Sequence, residues 1–501
     1  MTQKSLNQNK LPIYDALQNY RVEQTTSFHV PGHKQGQGNL EMAKLLGNSC
    51  LKLDLACMED LDFLSRPEGV IKEAETLAAK LYGAENAYFL VNGTTSGIQA
   101  MIMSVCQPGD KIIIPRNMHK SVISGLILSG AQPVYLEPEI NTFWGIAMGV
   151  KPETVLKTLK EHPEAKGVFL INPTYYGAAS ELETIIKLVH TFGKPVLIDE
   201  AHGAHLKFDS RLPICGITAG ADLVASSTHK LGGSLTQSSL LLQQGKLVDP
   251  AKLRTMLNLI QTTSPSYLLL VSLDIARKQL ALQGEKLVNK MYTLVQQARK
   301  AIREIDGLVL LGEEIIGEPG CFAFDPTKIV VNVRELGLSG YEFAQILRKN
   351  YQIQVELADL FNILALVSIG DTPETLNKLV RGLKDLAKSR PLKKMVKYAL
   401  PLPQLPEMVL TPREAFFAQG KSLSLEEAIG EISSEMIMAY PPGIPLICPG
   451  EKITQEIVDY LNLFTREKIK LQGMLNPARR QIKVVAETGS KTIRDSHWQA
   501  I

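Results

Sequence analysis

The feature that most constrains this chain is a series of short apolar segments that alternates with amphipathic helical patterns from Ile71 onward. Near-continuous apolar strands separated by helices predict a mostly parallel β-sheet that is buried on both faces. Seven such segments precede residue 245, at 87–91, 111–115, 133–138, 167–172, 195–200, 222–226 and 238–243. The last two are joined by the short stretch HKLGGSLTQ, which predicts a local antiparallel reversal.

A chain of 501 residues exceeds one comfortable core, so we predict several structural units. A long helical pattern at 268–305 precedes three more strand-like segments, at 328–333, 353–357 and 363–370, and then a proline-rich stretch. The predicted organisation is an N-terminal arm (1–70), a large α/β domain (71–305), a smaller α/β domain (306–390), a linker (391–411) and a C-terminal α+β domain (412–501). In the arm we expect little helix except near residues 40–46.

Composition excludes several classes of function. The net charge of +3 and the absence of a basic run argue against a nucleic-acid-binding surface. The six cysteines form no C-x-x-C pair, which favours reduced thiols in a cytosolic protein. The polar N-terminus and the lack of a bilayer-length apolar run indicate neither a secretory signal nor a membrane span. We therefore predict a soluble, cytoplasmic protein.

Ligands of parallel α/β sheets bind at the carboxyl ends of the strands, so the loops there form the candidate site. The loop NGTTSG at 92–97 opens a helix, where backbone N–H groups and the hydroxyls of Thr94, Thr95 and Ser96 can hold a phosphate. The alternative is ordinary capping, in which these hydroxyls serve only the helix.

Further polar residues follow other strands. His119 comes after the segment 111–115, and by itself it is equally compatible with an ordinary surface histidine. Asp199 ends a buried strand, where a carboxylate needs a positive or N–H partner. Asp199, His202 and His205 also raise the alternative of a metal site, although they lack an H-E-x-x-H pattern or a cysteine partner.

A lysine follows a histidine at three places in the chain, as Lys34, Lys120 and Lys230. Lys34 follows no strand, and Lys120 begins a helix, where a solvated side chain is expected. Only Lys230 combines a strand end, small neighbours and an acid, Asp199, one strand–helix–strand step earlier. The alternative is a lysine simply exposed at the sheet edge.

Pyridoxal phosphate (PLP) would make these residues one site, because it needs an amine for a Schiff base, an acid against its ring nitrogen and a phosphate cup. Lys230, Asp199 and the NGTTSG loop with Ser227 and His229 offer these groups, and His119 can stack on the ring. Nucleotide sites fit less well, since the GQG stretch lacks a third glycine and a preceding strand, and no P-loop pattern occurs.

With these residues, the chain resembles the Orn/Lys/Arg decarboxylases, PLP enzymes of the aspartate-aminotransferase fold. The resemblance runs from residue 29 to residue 451 and is closest to the shorter, biosynthetic arginine decarboxylases. The matching stretches are HVPGHKQG, YFLVNGTTSGIQA, PRNMHKSV, DEAHGAH, SSTHKLGGSLTQ, TTSPSY, TPREAFFA and YPPGIPLICPGE. It implies a PLP-binding large domain, dimer contacts from the arm and a C-terminal decarboxylase domain.

The resemblance also implies individual roles. Lys230 would carry the cofactor, Asp199 would pair with its ring nitrogen, His119 would stack on the ring, and His202 would lie near its 3-hydroxyl. The phosphate would be held by Thr95, Ser96, Ser227 and His229, and by Thr262 from the neighbouring subunit. Glu356 would face the distal cationic group of the substrate, although the family has a Lys-Thr pair where this chain has Leu357-Ala358.

The implied reaction is α-decarboxylation of a basic amino acid in polyamine biosynthesis. Arginine, giving agmatine, is the first expectation, with lysine (giving cadaverine) and ornithine as alternatives. An aminotransferase is less favoured, because the late segment ILALVSIG offers no arginine for a carboxylate and the next is Arg381. A non-catalytic relative is disfavoured by the presence of Lys230. We expect a homodimer or higher homo-oligomer, no nucleic-acid, membrane or metal partner, and either Lys230 or His202 as the proton donor to Cα.

Overall fold

The computed structural model describes residues 7–393, 403–439, 444–466, 469, 471–476 and 480–486. The α-helices in these ranges are α1 Pro12–Val22, α2 Leu40–Leu46, α3 Asn48–Leu51, α4 Val70–Tyr82, α5 Gly93–Val105, α6 Lys120–Ser129, α7 Pro152–Glu161, α8 Leu182–Thr191, α9 Gly216–Ala219, α10 Thr228–Leu231, α11 Pro250–Ile260, α12 Tyr267–Arg303, α13 Gly340–Tyr351, α14 Pro373–Lys388, α15 Pro412–Phe417 and α16 Gln455–Arg466. None of them combines the length and apolar character that crossing a membrane requires.

The strands in the same ranges are β1 Asn86–Leu90, β2 Lys111–Pro115, β3 Gln132–Leu136, β4 Ile140–Asn141, β5 Ile146–Ala147, β6 Val168–Ile171, β7 Ala178–Ala179, β8 Val196–Asp199, β9 Leu223–Ser226, β10 Ser239–Gln243, β11 Val309–Leu310, β12 Ala323–Phe324, β13 Lys328–Asn332, β14 Leu357–Ala358, β15 Asn362–Leu366, β16 Gly420–Ser424, β17 Ile437–Ala439, β18 Ile444–Ile447, β19 Leu471–Gln472 and β20 Gln481–Val485.

The seven predicted segments form one seven-stranded sheet in the order β1-β10-β9-β8-β6-β2-β3. The pairs β2–β3, β2–β6, β6–β8 and β8–β9 are parallel, whereas β10 runs antiparallel to both β9 and β1. The predicted reversal between the last two segments is therefore confirmed. The carboxyl ends of β1, β2, β6, β8 and β9 consequently meet at one edge.

Alternate side chains of the strands point into two separate cores. Phe89, Ile113 and Ile198 pack in one apolar cluster, which α4, α8 and α12 cover. Leu90 and Ile114 belong to the other cluster, on the side of α5, α6 and α11. Both faces of the sheet are thus buried, which explains why its strands read as near-continuous apolar runs.

A second, antiparallel sheet has the order β11-β13-β15-β14 and packs with α13, which in turn contacts α14. Two of the three strands predicted here are observed as β13 and β15. The prediction of a strand over 353–357 is largely wrong, because only its last residue, Leu357, is paired, in the two-residue strand β14 that ends at Ala358. The backbone N–H of Glu356 nevertheless donates to the Leu364 carbonyl oxygen at 2.9 Å, so the segment lies against β15.

The N-terminal arm is more helical than predicted. Besides α2 at the predicted position, α1 buries Ile13, Leu17 and Tyr20 along one face against α4 and α12. The spacing of these three residues is helical, and Pro12 occupies the first turn, where proline is well tolerated.

The C-terminal unit has an apolar core of its own, which includes Leu425, Ile447 and Ile457. Its strands β16 to β20 and helices α15 and α16 are consistent with the predicted α+β character. The predicted domain boundaries (1–70, 71–305, 306–390, 391–411, 412–501) stay predictions. Within the predicted linker, residues 394–402 lie outside the described residues, as do 440–443 of the YPPGIPLICPGE stretch and the tail 487–501.

Candidate active site

Strand pairing brings the two central predicted residues together. Asp199 is the last residue of β8 and pairs with Ala225 of the neighbouring strand β9. Lys230 lies in α10, which begins two residues after β9 ends. Because β8 and β9 are adjacent and parallel, the carboxylate and the amine occupy the same edge of the sheet, as the sequence predicts.

Lys230 is in direct contact with a second predicted residue. Its Nζ lies 2.8 Å from Nε2 of His202, a buried side chain from the loop after β8. Burial lowers the pKa of Lys230, although the carboxylates of Asp199 and Glu356 partly oppose this effect. Burial and the charge of Lys230 also lower the pKa of His202 well below its usual value. The pair therefore favours a neutral imidazole and a more readily deprotonated amine.

Asp199 has few partners inside the protein. One carboxylate oxygen accepts the Ala201 backbone N–H at 3.0 Å. Burial raises the pKa of Asp199, whereas the Ala201 amide and the charge of Lys230 lower it. Among the described residues, no cationic side chain lies within ion-pairing distance of this carboxylate. It is thus a buried acid that lacks a close positive partner, which is costly unless a ligand supplies one.

His119 caps helix α6, directly after the loop that follows β2. Its Nδ1 accepts the Ser121 backbone N–H at 3.2 Å and lies 2.8 Å from Ser121 Oγ. Burial and the charges of Lys230 and Lys120 lower the pKa of His119 to about 4. The ring is therefore a neutral, largely apolar surface close enough to Lys230 to sense its charge.

Hydroxyl groups cluster where helix α5 begins. Thr94 Oγ1 lies 2.5 Å from Ser227 Oγ and donates to Ser239 Oγ at 2.9 Å, and all three side chains are buried. Ser96 is buried and donates to the Gly93 carbonyl oxygen at 2.9 Å, whereas Thr95 is exposed. The α5 N-terminus, Thr94 and Ser227 thus lie together, as a phosphate site requires.

The remaining predicted phosphate residues flank this helix start. His229 is half-buried, and its Nδ1 lies 2.9 Å from the Ser238 carbonyl oxygen. Thr262 is exposed, and its backbone N–H lies 3.5 Å from Oδ1 of Asn92, the residue that precedes α5. Thr262 therefore neighbours the start of α5 in its own chain, while its predicted contact with the phosphate of a neighbouring subunit stays a prediction.

Glu356, the predicted substrate residue, is exposed and directly precedes β14 of the smaller sheet. Its charge raises the pKa values of both Lys230 and His229, which are nonetheless lowered overall by burial. A carboxylate near the amine yet open to solvent is suited to meet the far end of a long cationic molecule.

Sequence reasoning missed Tyr175 and Lys328. The Tyr175 ring packs on the His202 ring with centroids 4.8 Å apart and lies 5.9 Å from Lys230 Nζ. It belongs to the loop after β6, whose position at the same sheet edge was the available signal. Lys328 is fully buried at the start of β13 and donates to the His202 carbonyl oxygen at 3.2 Å. No sequence pattern distinguished it from an ordinary strand residue.

The metal-site alternative does not match the side-chain partners. His202 faces Lys230, whereas His205 Nε2 lies 3.0 Å from the Asp325 carboxylate and Asp199 accepts the Ala201 amide. Across the described residues, no group of three or more His, Cys, Asp and Glu side chains is placed to hold a metal ion.

The site does fit pyridoxal phosphate by the chemistry of its groups. The cofactor requires an amine, an anionic partner for its ring nitrogen and a phosphate site. Lys230 supplies an amine whose pKa is lowered, Asp199 is the buried acid that lacks a close cation, and the α5 start supplies hydroxyls and N–H groups.

Two family models match the chain. Residues 11–375 match the Orn/Lys/Arg decarboxylase major domain, and residues 393–479 match the C-terminal domain of the same family. The chain is 42% identical to an arginine decarboxylase of Bacillus subtilis, over 96% of this chain and 99% of the relative. It is 43% identical to an arginine decarboxylase of Bacillus anthracis, over 96% and 98% of the two chains. A constitutive lysine decarboxylase of Escherichia coli is 26% identical, over 90% of this chain and 77% of that protein.

Solved structures show the same fold. The E. coli constitutive lysine decarboxylase superimposes with a TM-score of 0.81 at 24% identity, over 96% of this chain and 82% of that chain. A ureidoglycine-glyoxylate aminotransferase of Bacillus subtilis gives a TM-score of 0.52 at 16% identity, over 64% and 84% of the chains. The predicted fold class and enzyme class are thereby confirmed, and family and fold imply pyridoxal phosphate. The chain belongs to the Orn/Lys/Arg decarboxylase family.

Proposed function

We propose that this protein removes the α-carboxylate of L-arginine, giving agmatine and CO2, with pyridoxal phosphate as cofactor and polyamine biosynthesis as its role. Support for arginine comes from four relatives that are 42–44% identical and are named arginine decarboxylase. The relatives named lysine decarboxylase are more distant, at 26% identity. Lysine and ornithine are the alternative substrates.

The observation that carries the proposal is the 2.8 Å contact between Lys230 Nζ and His202 Nε2, beside the buried carboxylate of Asp199. An amine with a lowered pKa is the usual nucleophile toward a carbonyl group. At this distance, Nε2 of His202 would take a proton from Nζ of Lys230 and return it. Either group can then deliver the proton that Cα needs after CO2 has left.

The cofactor would be held by residues from several strand ends. Lys230 would bind it covalently, Asp199 would face its ring nitrogen, His119 would cover the ring, and the phosphate would lie at the start of α5. When bound, pyridoxal phosphate supplies an electron-withdrawing ring that takes up the electron pair of the broken Cα–carboxylate bond. The phosphate contacts proposed there come from Thr94, Thr95, Ser96, Ser227, His229 and Thr262.

A distal carboxylate supports a basic substrate. Glu356 is exposed and acts electrostatically on Lys230 and His229, so a long side chain bound at the amine can reach it. A planar guanidinium gains two parallel hydrogen bonds from one carboxylate, whereas a terminal ammonium does not. A single carboxylate therefore favours arginine, while lysine and ornithine would still be attracted by its charge.

The residues of the smaller sheet argue against amino-group transfer as the main reaction. An arginine that clamps the substrate carboxylate would stabilise the group that decarboxylation must release. Strand β15 contains no arginine, and Arg381 lies exposed on helix α14. The buried guanidinium of Arg334 is already engaged, since its Nη2 donates to the Phe143 carbonyl oxygen and it stacks on Phe361.

The test of the reaction is CO2 release from arginine, lysine and ornithine, measured side by side with added pyridoxal phosphate and no keto acid. We expect the highest kcat/KM with arginine and no detectable turnover after Lys230→Ala. Lys246→Ala, at an exposed turn lysine, is the control and keeps full activity. Release only in the presence of a keto acid acceptor would contradict the proposal, as would an equal rate for Lys230→Ala.

The substrate-end assignment has a separate test. Glu356→Gln preserves shape but removes the charge, so KM for arginine should rise roughly 10- to 100-fold, the loss expected for a charge-assisted pair. Cofactor affinity, followed by absorbance, should stay unchanged because Glu356 is not among the proposed phosphate or ring contacts. An unchanged KM would remove Glu356 from the substrate site.

We also propose that the enzyme is a homodimer or a higher homo-oligomer. The N-terminal arm exposes large apolar side chains, including Phe28 (94% exposed) and Leu45 (83% exposed), which is unusual for a surface that stays in water. Sedimentation velocity should therefore give a mass of at least twice 55.2 kDa. A monomer mass at micromolar concentration would contradict this proposal.

A further inference from the structure

A fully buried ionic cluster contacts the loop that carries His202. Lys328 Nζ lies 2.6 Å from a carboxylate oxygen of Asp325, and the same oxygen lies 3.0 Å from His205 Nε2. Thr327 donates to the other carboxylate oxygen from both its backbone N–H, at 3.0 Å, and its Oγ1, at 2.7 Å. All these side chains are excluded from solvent, so each charge depends on its partners in the cluster.

The cluster joins the smaller sheet to the loop that carries His202. Asp325 and Lys328 lie at the entry to β13, whereas residues 201–205 follow β8 of the central sheet. Besides its ion pair, Lys328 Nζ donates to the His202 carbonyl oxygen at 3.2 Å. His202 and His205 are therefore both tied to the cluster, one through its backbone and the other through its ring.

A second loop of the site is anchored at the same place. The Asp325 backbone N–H donates to the Gly177 carbonyl oxygen at 2.8 Å. Gly177 has a φ of 98°, and a Cβ atom there would lie 2.8 Å from the Asp325 carbonyl oxygen, so only glycine permits this approach. This loop carries Tyr175, whose ring packs on His202.

We infer that Lys328 is a positioning residue, which fixes the loop at 201–205 so that the His202 ring faces Lys230 only when the smaller sheet is correctly seated. The expected effect on kcat rests on the proposed function, whereas the expected effect on the position and pKa of His202 does not. Among the proposed site residues, Lys328 contacts only His202, through the backbone carbonyl oxygen. It acts through the backbone of His202 and through Asp325.

The electrostatics give this arrangement a measurable signature. The titratable groups that act on His202 are Lys230 from α10, Lys328 and Asp325 from the β13 entry, and His119, which caps α6. After burial, the charges of Lys230 and Lys328 lower the pKa of His202, while Asp325 raises it. Removing Lys328 should therefore raise the pKa of His202, and removing the Asp325 charge should lower it.

The experiment is an NMR titration of histidine-labelled apoprotein, which has nine histidines, with the His202 signal assigned by its loss in His202→Gln. Lys328→Met should make His202 protonate at higher pH than in the parent, and Asp325→Asn at lower pH. A merely structural defect would not move the same signal in opposite directions. If both variants titrate like the parent, or shift in the same direction, the inference is wrong.

The chain offers a matched control. Arg277 and Asp274 form another i,i+3 pair with a 2.6 Å contact and side chains at most 1% exposed, and Arg277 also donates to the backbone of Gln8 and Lys10 in the N-terminal arm. Arg277→Met should lower the unfolding midpoint as Lys328→Met does, yet leave the His202 titration and kcat unchanged. In active enzyme, Lys328→Met should lower kcat roughly 10- to 100-fold with little change in KM. If the parent does not release CO2 from arginine, the proposed function fails, while the titrations still decide the role of Lys328.

Discussion

At the scale of single residues, the site depends on burial that changes the proton affinity of ordinary side chains. Lys230, His202 and His119 all have pKa values lowered chiefly by burial, and the charge of Lys230 lowers the pKa values of the two histidines further. Asp199 is shifted in the opposite sense, because burial disfavours its charged form. Opposed shifts of neighbouring groups are typical of sites that move protons.

The low pKa of His119 makes a prediction about stability. Its folded value of about 4 lies below the 6.5 of an unfolded histidine, so between these pH values only the unfolded chain binds the proton. Stability of the apoprotein should therefore fall as the pH drops from 6.5 towards 4. His119→Asn, which can still cap α6, should lose less unfolding free energy over this pH range, as measured by urea unfolding. If the unfolding free energy falls equally with pH in the two proteins, the pKa of His119 is not lowered.

At the scale of elements, strand ends explain why the predicted residues meet. The sheet pairs β8 with β9 and places the start of α5 beside them, so residues separated by more than 100 positions share one edge. Thr94 and Ser227 are such a pair, 2.5 Å apart although 133 positions separate them. The helix start and the strand end therefore lie together, and we propose that they bind the phosphate as one unit.

Ser227→Ala tests this unit. Losing one hydroxyl contact to a charged phosphate should weaken binding of pyridoxal phosphate roughly 10-fold. Ser104→Ala is the matched control, because Ser104 is buried as Ser227 is. It lies near the C-terminal end of α5, where its hydroxyl donates to the Met101 carbonyl oxygen. Absorbance titration of the apoprotein measures both dissociation constants. The same value for parent and Ser227→Ala would remove Ser227 from the phosphate site.

Sequence patterns predicted the central elements better than the smaller ones. The strands of the large sheet are buried on both faces, so their apolar runs are unmistakable. The segment 353–357 alternates like a strand, yet its pairing depends on where β15 lies, which periodicity does not encode. The missed α1 is a different case, since Ile13, Leu17 and Tyr20 carried a helical spacing that was present in the sequence.

At the scale of the whole molecule, the C-terminal unit is attached to the central sheet by a buried ion pair. Arg116, directly after β2, donates to both carboxylate oxygens of Glu451, at 2.7 and 2.9 Å. Arg116 also donates to the Leu446 carbonyl oxygen at 3.1 Å. The loop that leads to His119 is thus fixed by residues more than 300 positions later.

Glu451→Gln should therefore be costly to stability. Leaving Arg116 without its buried carboxylate should lower the free energy of unfolding by about 3 kcal/mol. Glu68→Gln breaks the exposed pair with Arg66 and should cost less than about 1 kcal/mol. Urea unfolding measures both changes. A loss for Glu451→Gln no larger than that for Glu68→Gln would contradict this role.

Contacts between units explain what the sequence could not predict. Asp199 and Lys230 were recognisable because strand ends converge in any parallel sheet. Lys328 begins an ordinary apolar strand, and its burial follows from how the smaller sheet packs against the loop after β8. Glu451 likewise gained its partner only through the docking of the C-terminal unit. Such residues are defined by tertiary packing rather than by local pattern.

The proposed function depends most on Lys230 being, of the three lysines that follow a histidine, the one that holds the cofactor. Reduction of the PLP-loaded enzyme with borohydride should link the cofactor permanently to the lysine that carries it. Digestion and mass spectrometry should then find the pyridoxyl group on Lys230. A label on Lys34, Lys120 or any other lysine, or no label at all on active enzyme, would show that Lys230 does not hold the cofactor.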